Sequence, residues 1–347
     1  MDFSTLYLWV GFLLASYSVI ANDSVQTLGT WIASNSERFR WYILWSAAST
    51  VLLFTLWYGW AINDGDISYG RLNKIPWQPI QWYHAVAPLI LVALTRFGVP
   101  VSTTFLVLSA FASTVVLEKV LMKSALGYLV AAAAAYLIWM VVAKFWESRK
   151  DIPESHDRYW RVAQWCTTGW LWFTWLSHDM ANIAVFLPRQ VPTEAMILIS
   201  IIFVGGMGYM FYERGGKIQE VVLSKTNTKY VRSATLVDLI YSLILWYFKG
   251  YNDIPMSTTW VFVGLLAGRE LAFATINDKY KFKTVFPLVG RDFFKMMIGL
   301  SLKVILFVIL IQMIFVYSWR QISSSSSIPA TENKYKHMLS RRIGRIN

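Results

Sequence analysis

Long stretches of this chain contain only uncharged, mostly apolar residues, and the charged residues cluster between them. No charged residue interrupts Phe3–Asn22, Trp41–Ile62, Leu126–Val142 or Ala195–Tyr212. A helix needs roughly 20 predominantly apolar residues to cross a bilayer. The pattern therefore predicts several membrane-spanning helices.

Further apolar runs, most of them shorter or interrupted, raise the total to about ten segments, and several of these are too short or too polar at one end to span simply. These runs are Trp82–Leu94, Phe105–Leu117, Ala163–Leu176, Leu236–Phe248, Val261–Ile276 and Val304–Trp319. The first run of the chain lacks a preceding basic stretch, and Asp2 is its only early charge. We therefore interpret it as a span and not as a cleaved signal peptide.

Composition favours a membrane protein over a soluble one. Of the 347 residues, 56% are hydrophobic and only 15% are charged, whereas soluble domains carry about 25% charged residues. The net charge of +12 comes from short basic clusters between apolar runs, as in the loops of membrane proteins. We expect an all-α polytopic protein of the plasma or inner membrane, surrounded by lipid, with no nucleic-acid partner.

Two pairs of short polar motifs recur at matching distances. Asp23 and Asp179 each follow an apolar run, and Pro-x-Ser-Thr-Thr sequences place Ser102 and Ser257 further along. The copies are 156 residues apart at the aspartates (179 − 23) and 155 apart at the serines (257 − 102). Agreement to one residue over this separation predicts two homologous halves.

The repeat defines a domain organisation. We expect repeat 1 at residues 1–145, a basic linker at 146–157, repeat 2 at 158–320 and a disordered basic tail at 321–347. Ser109 and Ser113 have the same offsets as Gly264 and Gly268. Small residues at this spacing let helix backbones approach closely in lipid, and the alanines of 131–135 favour the same packing.

The two aspartates have two possible roles. A carboxylate within a membrane helix costs about 2.5–3.5 kcal/mol on insertion scales, so each is either a helix cap at the interface or a ligand facing the protein interior. Carboxylate and amide oxygens suit a hard cation such as sodium. The candidate sodium ligands are Asp23, Asp179, Gln26, Asn22 and Asn182.

The Ser-Thr-Thr triplets also have two possible roles. Proline ends the preceding element, and serine or threonine is a favoured N-cap for the next helix. Each triplet is thus either an ordinary cap or an anion site at a helix N-terminus. The candidate anion ligands are Ser102, Thr103, Thr104, Ser257, Thr258, Thr259, Asn22 and Asn182.

The combination is typical of a transporter. Transporters built from two repeats bind substrate at broken helices near the membrane midplane, with anions at helix N-termini and cations at freed oxygens. The motifs therefore favour an anion carrier coupled to a cation. No nucleophile–base arrangement is evident in the sequence, so we do not expect an enzyme.

At these residues the chain resembles the inorganic phosphate transporter (PiT) family of sodium- or proton-coupled symporters. Asn22-Asp23 and Gly29-Thr30 match its first signature, Asp179 and Asn182 match its second, and both Pro-x-Ser-Thr-Thr cores are intact. Gly215-Gly216-Lys217-Ile218 is also similar to a segment of the family, and the resemblance covers residues 6–275.

The resemblance implies a mechanism and an assembly. Its members have inverted-topology repeats with broken or re-entrant helices, and they move phosphate with sodium or protons. We therefore expect phosphate as substrate, sodium as the coupling ion, no other cofactor, and a homodimer.

Four residues depart from the family pattern. Gln26 and His178 stand where the family usually has asparagine, and Phe105 and Trp260 replace the histidine that follows each triplet. The departures leave open the choice between sodium and protons and the role of His178, structural or proton relay. They also leave two alternative functions open: a permease for sulfate or another oxyanion, or a transport-inactive anion receptor.

Overall fold

Helices form every regular element that the computed structural model describes, which covers residues 3–97, 102–146, 155–226, 231–276 and the single positions 287, 290 and 294. These residues all belong to one unit, Met1–Ser301. The predicted tail, the apolar run 304–319, most of the linker 146–157 and the start of the first triplet motif (100–101) lie outside the described residues.

The helices follow one another along the chain with short connections, apart from a long loop after α3. In order they are α1 (Phe3–Ser18), a π-helical turn (Val19–Asp23), α2 (Ser24–Asn35), α3 (Trp41–Ile62), a 3-10 turn (Trp82–Ala85), α4 (Val86–Arg96), α5 (Thr103–Leu108), α6 (Thr114–Trp146), α7 (Ser155–Asp179), α8 (Ala181–Ala184), α9 (Thr193–Tyr212), α10 (Gly216–Thr226), α11 (Val231–Tyr251) and α12 (Thr258–Ile276).

Six helical segments of the described chain are long and apolar enough to cross a membrane. They are Phe3–Asn35, Trp41–Ile62, Thr114–Val142, Thr193–Tyr212, Val231–Tyr251 and Thr258–Ile276. The prediction of an all-α, multi-pass membrane protein is thereby confirmed.

The six candidate spans agree with the expectation that several of the ten or so apolar segments are too short or too polar at one end to span simply. The apolar run 105–117 is not one helix, because α5 ends at Leu108 and α6 begins only at Thr114. The run 163–176 lies within α7, which as a whole is too polar to be among the six candidate spans.

The aspartate motifs both lie where a helix is interrupted. The π-helical turn Val19–Asp23 separates α1 from α2 within one 33-residue stretch, and such turns are frequent at functional sites. Asp23 makes no side-chain capping bond to α2, so the helix-cap interpretation is wrong for this residue. In the later motif, α7 ends at Asp179 and the short α8 begins two residues further on.

Two helix pairs have corresponding positions around the motifs. α1 packs against α4, and α7 packs against α11. In each pair, the helix that leads to an aspartate contacts the helix that precedes a triplet. This correspondence agrees with two homologous halves, although the boundaries of the halves and the inversion stay predictions.

Small residues permit close contact where α12 meets α6, but not at the corresponding serines of the first motif. α12 lies along α6, and a Cβ added at Gly264 or Gly268 would lie 2.4 Å from Tyr128 O or 2.0 Å from Ala132 O. The prediction of close packing is thus confirmed for these glycines and the alanine run. It is wrong for Ser109 and Ser113, because these residues lie in the turn between α5 and α6 and not along a helix.

Candidate functional site

Asp23 is buried inside the membrane portion and accepts hydrogen bonds from both sides. The hydroxyl of Thr103 donates to its Oδ2, and the Nδ2 of Asn22 donates to its Oδ1 at 2.5 Å. Gln26 Nε2 in turn donates to Asn22 Oδ1 at 3.0 Å. The first acidic motif therefore contacts the first triplet directly.

Asp179 has an equivalent environment. Thr258 Oγ1 donates to its Oδ2 at 2.5 Å, and Asn182 Nδ2 donates to its Oδ1 at 3.0 Å. Thr258 follows Ser257 just as Thr103 follows Ser102, so the two aspartates bind corresponding threonines. The second acidic motif thus contacts the second triplet.

Thr104 joins the two motif pairs into one cluster. Its hydroxyl donates to Asp179 Oδ1 at 3.3 Å and also lies 3.2 Å from Met256 O. The first triplet therefore contacts both aspartates, through Thr103 and Thr104. Asp23 and Asp179 are close enough to interact electrostatically.

The triplet serines cap helices. Ser102 Oγ accepts from the backbone N–H of Phe105, and Ser257 Oγ accepts from that of Trp260, each at 3.3 Å. The predicted N-cap role is confirmed for both serines. A capping hydroxyl accepts through its oxygen lone pair, so its own proton stays available to a ligand.

The two triplets differ at their third residue. Thr259 corresponds to Thr104 and is 6% exposed, but its hydroxyl makes no hydrogen bond to any other described residue. The cluster is therefore not symmetric, and Thr259 has donor and acceptor capacity that no described residue uses. All predicted ligands of the anion and the cation are buried.

His178 points away from this hydrogen-bond network. Its Nε2 lies 2.8 Å from Leu245 O, while no described group bonds its buried Nδ1. The contact with Leu245 fixes the imidazole to α11. This geometry agrees with the structural role and not with a relay into the aspartate cluster.

The cluster carries two carboxylates and no ion pair. Among the described residues, no lysine or arginine side chain lies within 4.0 Å of Asp23 or Asp179, whose hydrogen-bond donors are neutral hydroxyls and amides. Carboxylates in a low-dielectric interior need a counter-charge or a proton. The oxygen-rich site can supply ligands to a hard cation. The described residues contain no cluster of three or more histidine, cysteine or acidic side chains that could hold a metal ion.

A third buried carboxylate was not identified from the sequence. Asp238 in α11 is fully buried, and it accepts from Thr30 Oγ1 at 2.6 Å and from Thr168 Oγ1 at 2.5 Å. It therefore links α11 to α2 and α7. Its position within an otherwise apolar run was the available signal, because an ionisable residue within a span is unusual.

A buried cation was missed as well. Arg71 lies in the long loop after α3, yet it is only 2% exposed. Its Nε donates to Ser177 O at 3.0 Å, two residues before Asp179. Burial lowers the pKa of Arg71 to about 10, so its guanidinium stays charged at neutral pH. No sequence motif marks this loop position.

A cavity of about 490 Å³ lies beside the first acidic motif. Ile20 and Ala21 of the π-helical turn line it, together with α9 and the segment Gly215–Ile218. None of the triplet residues lines it. The cavity therefore reaches the chain next to Asn22 and not the triplets themselves.

Comparison with protein-family models finds no match, and no curated protein matches the chain. One solved structure, described as "The sodium-dependent phosphate transporter", matches with a TM-score of 0.59 and 17% sequence identity. The match covers 88% of this chain and 96% of that chain. The protein therefore shares its fold with that membrane transporter.

Proposed function

We propose that this protein is a secondary active transporter that moves inorganic phosphate across a membrane with sodium as the coupling ion. The observation that carries the proposal is the single buried cluster in which Thr103 and Thr104 contact Asp23 and Asp179. The name of the structurally similar transporter and the PiT-like motifs support the choice of ions.

Sodium neutralises the carboxylates in this mechanism. Asp23 and Asp179 lie in an interior where an unpaired charge is costly. The amide side chains of Asn22, Gln26 and Asn182 belong to the same cluster, and their oxygens can turn toward a cation that takes the place of these hydrogen bonds. Binding of sodium replaces the hydroxyl and amide donors that the carboxylates now attract.

The released hydroxyls then bind the anion. A threonine that contacts sodium through its oxygen lone pair keeps its proton for a phosphate oxygen. The N-terminus of α12 adds backbone N–H groups and the positive end of the helix dipole. Thr259 and the two capping serines contribute further hydroxyl protons.

Coupling follows from charge. Phosphate would be repelled by two bare carboxylates in a low-dielectric site, so it binds only after the cations. By thermodynamic linkage, phosphate then raises the sodium affinity by the same factor. Movement of the two halves against each other around this cluster would give alternating access.

Uptake of labelled phosphate into proteoliposomes tests the proposal. An inward sodium gradient should drive accumulation, whereas replacement of sodium by choline should stop it. Sulfate that competes as well as phosphate would instead favour the oxyanion permease. Phosphate binding without uptake under any gradient would favour the transport-inactive receptor. We also expect a homodimer, which size-exclusion chromatography with light scattering in detergent tests.

A further inference from the structure

Three basic side chains lie near the start of the second acidic motif. Arg71, Lys123 and Lys249 all act electrostatically on the buried His178, which precedes Asp179. They come from the loop after α3, from α6 and from the end of α11. We call these three residues the basic cluster.

Turns in the loop after α3 position Arg71. The Asp66 carboxylate accepts from the backbone N–H of Ser68 at 2.7 Å and from that of Gly70 at 2.9 Å. Tyr69 adopts a positive φ of 55°, which is strained for an aromatic residue. Such strain persists where the surrounding structure enforces it, and it concentrates at functional sites.

Two members of the cluster share an acceptor. Lys123 Nζ lies 3.0 Å from Asn252 O, and Arg71 Nη1 lies 3.4 Å from the same atom. Lys123 also donates to Asn252 Oδ1 and Ile254 O, at 2.8 and 2.7 Å. Three acceptors match the three protons that an ammonium group can donate.

The cluster lacks a carboxylate partner. None of its three side chains has an acidic group of the described residues within 4.0 Å. The exposed Asp253 acts on Arg71 and Lys123 only from a greater distance, and Asp179 acts in the same way on Arg71. Two charges that are almost fully buried, at 2% and 5% exposure, therefore face each other across one carbonyl oxygen. An anion would relieve this repulsion.

Donors for such an anion are present. Arg71 uses Nε and Nη1 for backbone carbonyls, and its Nη2 bonds no described residue. Lys249 Nζ contacts the ring faces of Tyr69 and Phe173, at 4.8 and 4.9 Å from their centroids, and it makes no hydrogen bond within the described chain. A guanidinium edge and an ammonium group suit a tetrahedral oxyanion.

We infer that the basic cluster is a second anion site, which holds an inorganic oxyanion before it passes to the triplets. Its place supports this role, because Arg71 bonds Ser177 beside the second acidic motif and Lys123 bonds the segment directly before Pro255. The path from cluster to triplets rests on the proposed function. The cluster itself brings its own positive charge, so it binds the anion without sodium.

Equilibrium binding of labelled inorganic phosphate to the purified full chain in sodium-free choline buffer tests this inference. The parent should bind phosphate weakly, and added chloride should compete, as expected for a charge-based site. Arg71→Gln and Lys249→Gln should each weaken this binding by about tenfold. In proteoliposomes at saturating sodium, the same variants should raise KM for phosphate more than they lower the maximal rate.

Matched controls remove the same charge nearby. Lys74→Gln lies in the same loop and Lys119→Gln on the same helix as Lys123, and both lysines are exposed. Both variants should bind like the parent. Should Arg71→Gln fail to fold, Lys249→Gln decides the question alone, because Lys249 is only half-buried.

Two results would overturn the inference: a parent without sodium-free binding, or glutamine variants that bind like the parent. The proposed function fails separately, when the parent shows no sodium-driven uptake. The two failures are therefore distinguishable.

Discussion

The rings of Phe105 and Trp260 contact each other, with centroids 5.0 Å apart. Each residue follows a Ser-Thr-Thr triplet at the same offset, and both pack in a buried group with Val120 and Val263. Corresponding positions of the two motifs therefore meet in space. Neither side chain can carry a proton.

This contact predicts the driving ion. Because no titratable group stands after either triplet, and because we assign the two buried aspartates to sodium, an inward proton gradient in choline buffer should not drive phosphate uptake, whereas a sodium gradient should. Labelled phosphate uptake in proteoliposomes at matched ionic strength measures both. Uptake driven by the proton gradient alone would show that the assignment of sodium as the coupling ion is wrong, but it would not change the assignment of the fold.

The close approach of α12 to α6 predicts a sharp effect of one methyl group. The added Cβ of Gly268→Ala would lie 2.0 Å from the Ala132 carbonyl oxygen, and backbone cannot move aside as a side chain can. We expect a loss of about 1–3 kcal/mol from overpacking. Thermal unfolding in detergent measures it.

Gly205→Ala is the control for that experiment. Nothing lies within 4 Å of a Cβ added at Gly205, which is also in a helix. This variant should be neutral or slightly more stable, because alanine favours helix by about 1 kcal/mol. Equal melting temperatures for the two variants would contradict the close contact.

Spacing in the sequence predicts the centre of the site but not its surroundings. The equal offsets of Asp23 and Asp179 from their triplets indicate that the motifs act together, and the structure brings them into hydrogen-bond contact. Asp238 has partners 208 and 70 residues away. Only the packing of three helices brings those partners together, and no local pattern reports it.

Local reasons explain why the burial of Arg71 and the break in the run 105–117 were not predicted. Arg71 lies in a loop with no helical periodicity, so its burial depends entirely on the turns that follow α3. The apolar run 105–117 satisfies the composition of a span, but the chain turns after Leu108. Apolar composition predicts which segments can lie in lipid, but it does not predict where a helix ends and the backbone turns.

The hydroxyl partners of Asp238 should contribute to stability. Thr168→Val keeps the side-chain shape but removes the donor to Asp238 Oδ2, which leaves a buried acceptor unsatisfied. The expected cost is about 1–3 kcal/mol. Thermal unfolding measures it, and Thr167→Val is the control because, within the described part of the chain, the Thr167 hydroxyl bonds only the Gln164 carbonyl of its own helix.

Thr30→Val should have a similar effect, because Thr30 donates to the other carboxylate oxygen. The double variant should cost less than the sum of the two single variants, since both act on one carboxylate. Full additivity would contradict a shared role in joining α2, α7 and α11.

The triplet serines should affect anion affinity more than sodium affinity. Ser102→Ala with Ser257→Ala removes two hydroxyl protons that we assign to phosphate, each worth about 0.5–1.5 kcal/mol or more with a charged partner. Phosphate binding in saturating sodium should weaken clearly. Loss of the caps costs about 0.5–2 kcal/mol of stability per helix, so binding must be measured well below the melting temperature. Unchanged phosphate affinity would place the anion elsewhere.

The aspartates should control the response to sodium. Asp23→Asn and Asp179→Asn keep the shape and one oxygen donor but delete the charge that attracts the cation. Each variant should lose sodium-stimulated phosphate uptake while it expresses and folds normally, because a neutral amide is less costly in the membrane interior than a carboxylate. Uptake at varied external sodium measures the effect.

An exposed acidic residue supplies the control. Glu118→Gln removes one negative charge, as each aspartate variant does, but on the surface of α6, so it should leave the sodium response intact.

The two aspartate variants also separate coupling from anion binding. With one negative charge fewer, the remaining carboxylate repels phosphate less than the pair does, so phosphate binding without sodium should become stronger than in the parent. Variants that keep the parent's sodium response would mean that the aspartates serve only to accept the threonine hydrogen bonds. Loss of the sodium response together with stronger sodium-free phosphate binding would instead show that the carboxylates prevent phosphate from binding before sodium.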